Sequence, residues 1–161
     1  GSDSPEAPLE LTGADAMLEI MRWKEPETAV PVDPRTGPVV ITIQYVIAED
    51  DVIEFLRAMA DRRRIRRRDG AKDWKLLRDL ADPQIWIERY STPTWLDYVR
   101  HNHRLTHDDA AIPQRLRNLH RGPGLPVVRR MIERQTDTLP GGQRTGTADL
   151  AEPLTDPTRS S

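Results

Sequence analysis

Three groups of residues in this chain have types and spacing that could do chemistry: its histidines, a run of arginines and its tryptophans. His101, His103, His107 and His120 are the candidates for proton transfer or metal binding. On a helix His101 and His103 point about 160° apart, so they cannot share one ion. His103 and His107, spaced i and i+4, could. Two imidazoles without a third protein ligand fall short of a zinc site, so no metal is expected. Cysteine is absent, which removes thiolate ligands and disulfides and fits a reducing compartment. No nucleophile, base and orienting group stand in a legible set. Gly122-Pro123-Gly124 is no phosphate cradle, because proline interrupts the row of N–H donors.

The arginine run holds Arg62, Arg63, Arg64, Arg66, Arg67 and Arg68, interrupted by Ile65. On a helix these point all round, which suits a solvated helix end with cations near its negative pole. A functional reading is contact with anionic lipid headgroups, where each basic residue contributes roughly 1 kcal/mol. Nucleic acid is not expected, because no stacking aromatics interleave with the run. Trp74 and Trp95 suit a core, whereas Trp86 is the candidate for a partner surface.

These residues must be positioned by a short list of elements. Val39 to Ile47 is β-branched, aromatic and alternating, with Val39, Ile41, Ile43, Tyr45 and Ile47 on one face and Thr42 and Gln44 on the other. Acidic Glu49-Asp50-Asp51 opens a helix on which Val52, Phe55, Leu56 and Met59 recur at helical spacing, continuing through Arg63. Asp69-Gly70 ends it, the glycine supplying a left-handed residue. Trp74 to Asp79 and Ile85 to Tyr90 form a hairpin around Ala81-Asp82-Pro83-Gln84. A second helix opens at Thr92-Pro93, Thr92 being its cap, and buries Trp95, Tyr98, Val99, Asn102 and Thr106. A short extra helix from Asp108 to about His120 turns Ile112, Leu116 and Leu119 inward, and Leu125 to Ile132 is the last strand.

The order predicts an α+β fold, a ferredoxin-like βαββαβ sandwich. Its four-stranded antiparallel sheet carries helices on one face, with the extra helix before the last strand. The open face is expected to hold Trp86, Tyr90 and Thr42, too aromatic for water alone, and therefore to be a partner surface.

The chain is 37% hydrophobic and 31% charged, enough for one core if the ends are left out of it. Prolines and glycines concentrate at both ends, so residues 1–37 read as a flexible linker, 38–134 as the domain and 135–161 as a disordered tail. Gly1-Ser2 reads as a protease scar. Residues 1–38 carry three basic and eight acidic side chains, residues 39–134 nineteen and fourteen and residues 135–161 two and four, a basic centre between acidic arms.

Several residues in this order carry a resemblance: Arg22-Trp23-Lys24-Glu25-Pro26, Gly37-Pro38-Val39, Tyr45, Arg62 to Arg68 with Asp69-Gly70-Ala71, Trp74, Asp79, Asp82-Pro83, Trp95 and His101-Asn102-His103-Arg104. Over about residues 20–132 the chain resembles the cytosolic C-terminal domain of bacterial major facilitator superfamily exporters of the enterobactin-exporter type. The resemblance implies a non-catalytic accessory or regulatory domain at the cytosolic face of the inner membrane, without a cofactor. Its implied partners are the membrane part of the same transporter or a second copy through the sheet face, with anionic lipid a further possibility. The chain is also similar to antibiotic-biosynthesis-monooxygenase-like proteins, whose subunits pair sheet to sheet. That likeness implies an alternative, a monooxygenase-like or hydrophobic-ligand-binding domain using Trp95, Asn102 and His103. The haem-degrading members use an asparagine, a tryptophan and a histidine, and the first strand here offers Thr42 and Gln44 in place of an asparagine.

Overall fold

The computed structural model describes residues 23–104 and 109–137. Strand β1 (Val39–Val46) leads through a 3-10 turn (Glu49–Asp51) into helix α1 (Val52–Arg68). Strands β2 (Lys72–Arg78) and β3 (Ile85–Thr92), helices α2 (Trp95–His103) and α3 (Ala111–Leu119), and strand β4 (Val127–Ile132) follow. The sheet order is β2-β3-β1-β4 with all pairs antiparallel, the ferredoxin-like arrangement the element order predicts.

Strict alternation sets the faces of β1. Val39, Ile41, Ile43 and Tyr45 are buried toward the helices, and Ile47 just beyond the strand is sealed with them. Opposite them on β3 stand Thr92, Tyr90, Glu88 and Trp86, so those four also face the helices. This corrects the expected partner surface. Trp86 and Tyr90 are buried in the helix–sheet interface, while Ile85 and Ile87 face outward beside Thr42 and Gln44. Both faces of β3 are apolar enough to go inside, and pairing with β1 decides between them.

Helix α1 turns Phe55, Ala58, Met59 and Ile65 inward. Leu56, expected on the same stripe, is 42% exposed. The helix ends as Asp69-Gly70 predicts: Gly70 has φ 97°, the Gly70 N–H donates to the Arg67 carbonyl and the Ala71 N–H to that of Arg66. This paired closure satisfies carbonyls the helix leaves open.

Several boundaries differ from expectation by a few residues. The α2 cap is Thr94, whose hydroxyl oxygen accepts from the Asp97 N–H at 3.1 Å, because Thr92 is still paired with Val39 in the sheet. Strand β2 starts two residues early, through an irregularity where Asp73 has φ 52°. Strand β4 starts at Val127 rather than Leu125. Ile112, Leu116 and Leu119 of α3 are buried as the pattern requires, whereas Thr106, His107 and Asp108 lie outside the described residues.

Residues 23–37, expected as linker, form no helix or strand but touch α2. Trp23 packs edge-on against Tyr98 at 5.8 Å, and the N–H groups of Trp95 and Leu96 donate to the carbonyls of Thr36 and Pro34. Gly37 permits this approach, since a Cβ there would sit 2.1 Å from the Pro93 carbonyl oxygen.

The inward and outward sides of α1 give a direct prediction. Phe55→Ala should cost about 3–5 kcal/mol in urea unfolding, whereas Leu56→Ala should cost well under about 2 kcal/mol. Equal losses would mean the helix is rotated from this placement.

Candidate functional site

Glu88 is the most completely buried ionisable group on the sheet, with 0% exposure. A lone buried carboxylate is costly, so its neighbours must compensate. Arg66 is 4% exposed and places Nε 3.1 Å from Glu88 Oε2. Arg62, one turn earlier on α1, places Nε 3.6 Å from Oε1. The Trp74 indole N–H donates to Oε2 at 2.8 Å, and the Tyr45 hydroxyl stands 3.5 Å from Oε1. Burial alone would raise the carboxyl pKa. The charges of Arg66 and Arg62, with the bonds from Trp74 and Arg66, outweigh it and hold Glu88 below the usual carboxylate range.

Arg66 extends the cluster into α2. Its Nη1 lies 2.9 Å from His101 Nε2, and guanidinium can only donate. His101 Nε2 therefore accepts, and the ring proton sits on Nδ1, which donates to the Asp69 carbonyl at 3.1 Å. Arg104 Nη1 donates to the same carbonyl at 3.0 Å. The C-terminal end of α1 is thus closed by side chains of α2. The Arg66 guanidinium also lies 4.5 Å from the Tyr90 ring centre, and the Tyr90 and His101 rings are 5.3 Å apart. Burial and the charge of Arg66 push the His101 pKa down to about 4. Burial pushes the phenol of Tyr90 up to about 12 and that of Tyr45 further. None of these groups is poised to exchange protons near neutral pH, so the cluster is built to hold elements together.

The arginine run divides accordingly. Arg66 is buried and the Arg62 side chain is 14% exposed, so these two are not free to meet a lipid surface. Arg68 pairs with Asp69 at 2.9 Å and Asp109 at 2.8 Å, Arg64 with Asp61 at 3.5 Å, and Arg63 stands over the Trp74 ring. Arg67 is exposed. The expected cationic contact surface of six arginines is therefore reduced by the inward turn of α1.

Among the described residues, Trp95, Asn102 and His103 each have separate partners. Trp95 is buried beside Tyr98 and donates its indole N–H to the Glu25 carboxylate. The Asn102 amide donates back along its helix to the Tyr98 carbonyl at 2.9 Å. His103 is exposed, edge-on to Trp23 at 5.3 Å. His120 sits apart from the other histidines, its Nδ1 accepting from the Val46 N–H at 3.0 Å.

The open sheet face is organised in rows. One row runs Lys75, Arg89, Thr42, Arg129 across the four strands, and the next runs Leu77, Ile87, Gln44, Val127. Val40 and Met131 lie on the far side of the first row. Leu77, Val127 and Met131 are 42%, 46% and 44% exposed, and Val40, Val46, Ile85 and Ile87 are half-buried. Charged members of these rows are all cations. Sequence reasoning missed this face because it placed Trp86 and Tyr90 there. The signal was present in Ile85 and Ile87, which alternate with them.

A family model described as transmembrane secretion effector matches residues 6–138. The chain belongs to that family, a branch of the major facilitator superfamily, and the match agrees with the exporter-domain resemblance. No curated protein matches it in sequence. Among solved structures it is similar to a conserved protein from Methanosarcina mazei Go1, at 12% identity and a TM-score of 0.51, covering 63% of this chain and 97% of that one. It is also similar to a putative antibiotic biosynthesis monooxygenase from Bordetella bronchiseptica, at 14% identity and a TM-score of 0.51, covering 62% and 99%. At such identities the likeness is one of fold. No helix among the described residues is long and apolar enough to cross a membrane.

The buried histidine predicts a pH dependence. The unfolded chain protonates His101 near pH 6.5, while the folded chain resists protonation down to about 4. Between those values the unfolded state binds more protons, so stability falls as pH drops from 6.5 to 4, by on the order of 3 kcal/mol. Urea unfolding across that window should show the slope, and His101→Gln should flatten it. An unchanged slope in the variant would assign it to other groups.

Proposed function

We propose that this chain is a non-catalytic accessory domain at the cytosolic face of a membrane exporter, and that it acts by pairing two copies through the open sheet face. The observation that carries the reading is the aliphatic surface of that face. Three side chains are more than two-fifths exposed and four more are half-buried beside them, in a molecule that has core positions for its aromatics. Exposed aliphatic surface of this kind is normally covered by a partner. Lys75 and Arg129 lie on the edge strands β2 and β4, where long stems can rest on the sheet while their heads reach water at the rim. Arg89 on β3 is the central cation. Membership of the transmembrane secretion effector family supports the membrane parent. The ligand-binding alternative on Trp95, Asn102 and His103 is less favoured, since among the described residues each of the three is engaged with a partner of its own.

A second copy brings only more cations to this face, so self-pairing should tighten as salt screens them. Light scattering over a concentration series should show a dimer whose dissociation constant falls several-fold between 50 and 500 mM salt. Leu77→Lys and Val127→Lys, both at exposed positions, should leave the thermal midpoint close to wild type and abolish the dimer. A wild-type monomer at every concentration would overturn pairing. Association that weakens with salt would point to an acidic partner instead.

A further inference from the structure

The Glu88 cluster does not balance its charge. One carboxylate faces two guanidinium groups, and His101 is fixed as a neutral acceptor by the hydrogen bond from Arg66. Glu88 Oε2 is already taken by Arg66 and Trp74. Arg66 holds the carboxylate at hydrogen-bonding distance, while Arg62 stands off at 3.6 Å. Among the described residues Arg62 makes no hydrogen bond, and its Nε is buried without one. Its sequence neighbour Asp61 is not available to it in this arrangement, being paired with Arg64 and Arg115. The cluster therefore carries an excess positive charge, and that charge sits on Arg62.

Arg62 lines a cavity of about 160 Å³ between β1, β4 and α3. The other walls are mainly apolar, including Ile43, Leu116, Leu125 and Val128, with Tyr45 and a second cation, Arg117, also on the lining. The Arg62 side chain is 14% exposed and makes no hydrogen bond among the described residues, and a guanidinium so placed at the wall of a mainly apolar space can serve an anionic acceptor carried on an apolar body. The volume sets its size, since a cavity of about 150 Å³ holds one benzene ring.

We infer that this cavity is a binding site for a small organic carboxylate of roughly benzoate size, its carboxylate accepting from Arg62 and its hydrocarbon part resting on Ile43, Leu116 and Val128. The bound carboxylate supplies the second negative charge of the cluster. Such binding would tighten the contact of α1 and α3 with β1 and β4. The site is on the helix side of the sheet and is independent of pairing through the open face.

The test is a titration of the full chain, followed by backbone amide NMR, with sodium benzoate, sodium isovalerate and neutral benzyl alcohol as probes. At least one carboxylate should give saturable shifts at Ile43, Tyr45, Leu116 and Val128. Benzyl alcohol should bind at least tenfold more weakly than benzoate. Arg62→Gln should weaken carboxylate binding at least tenfold. Val128→Phe, at a position 40% exposed in the free chain, should block the cavity without touching the Glu88 pairing. Absence of saturable shifts with both carboxylates would overturn the inference. So would equal binding of benzyl alcohol, or carboxylate binding unchanged in Val128→Phe.

Discussion

A carboxylate placed in the middle of a sheet, out of contact with water, is tolerable only where cations and N–H donors reach it from another layer. Glu88 is such a group, and its partners come from three elements: Arg62 and Arg66 from α1, Trp74 from β2 and Tyr45 from β1. Through Arg66 and His101 the same network reaches α2 and the carbonyl that closes α1. A fold of this size could be held by aliphatic packing alone, which has little directional preference. The ionic cluster adds direction, because Glu88 can be satisfied only with α1 rotated so that Arg62 and Arg66 face the sheet.

That rotation also explains what was legible in the sequence and what was not. The alternation of β1 and the apolar spacing of α3 are read from single elements, and both faces come out correctly. The face of β3 could not be read that way. Its two sets, Ile85 with Ile87 and Trp86 with Tyr90, are both apolar, and Glu88 in the second set argues for solvent. Only the partners of Glu88 reverse the argument. The clue lay in α1: Phe55, Met59, Arg62 and Arg66 follow one another at spacings of four, three and four, so the inward stripe passes through Arg62 and Arg66 and not through Arg63. Two arginines on an inward stripe require a buried acid, and Glu88 between Trp86 and Tyr90 is the one that fits.

The consequence for function is a division of labour between the two sides of the sheet. Aromatics, the acid and its cations are committed to the helix side, which leaves the outer side to aliphatic residues and rim cations. The family membership places such a sheet in a transmembrane secretion effector. The arginine run, conspicuous in the sequence, belongs mostly to intramolecular pairing. The apolar surface left exposed on the open sheet face is carried by residues that attract little notice when the sequence is read alone, Leu77, Val127 and Met131.

The central claim is that Glu88 and Arg66 stabilise the fold as a coupled pair, and a double-mutant cycle tests it most directly. Urea unfolding would be measured for the wild type, Glu88→Gln, Arg66→Met and the double variant. Removing the carboxylate alone should cost about 3–5 kcal/mol, because it strands buried cations. The double variant should be less destabilised than the two single losses added together, by about 2 kcal/mol or more. Losses that add to within about 0.5 kcal/mol would show that the two residues act independently and would contradict the account.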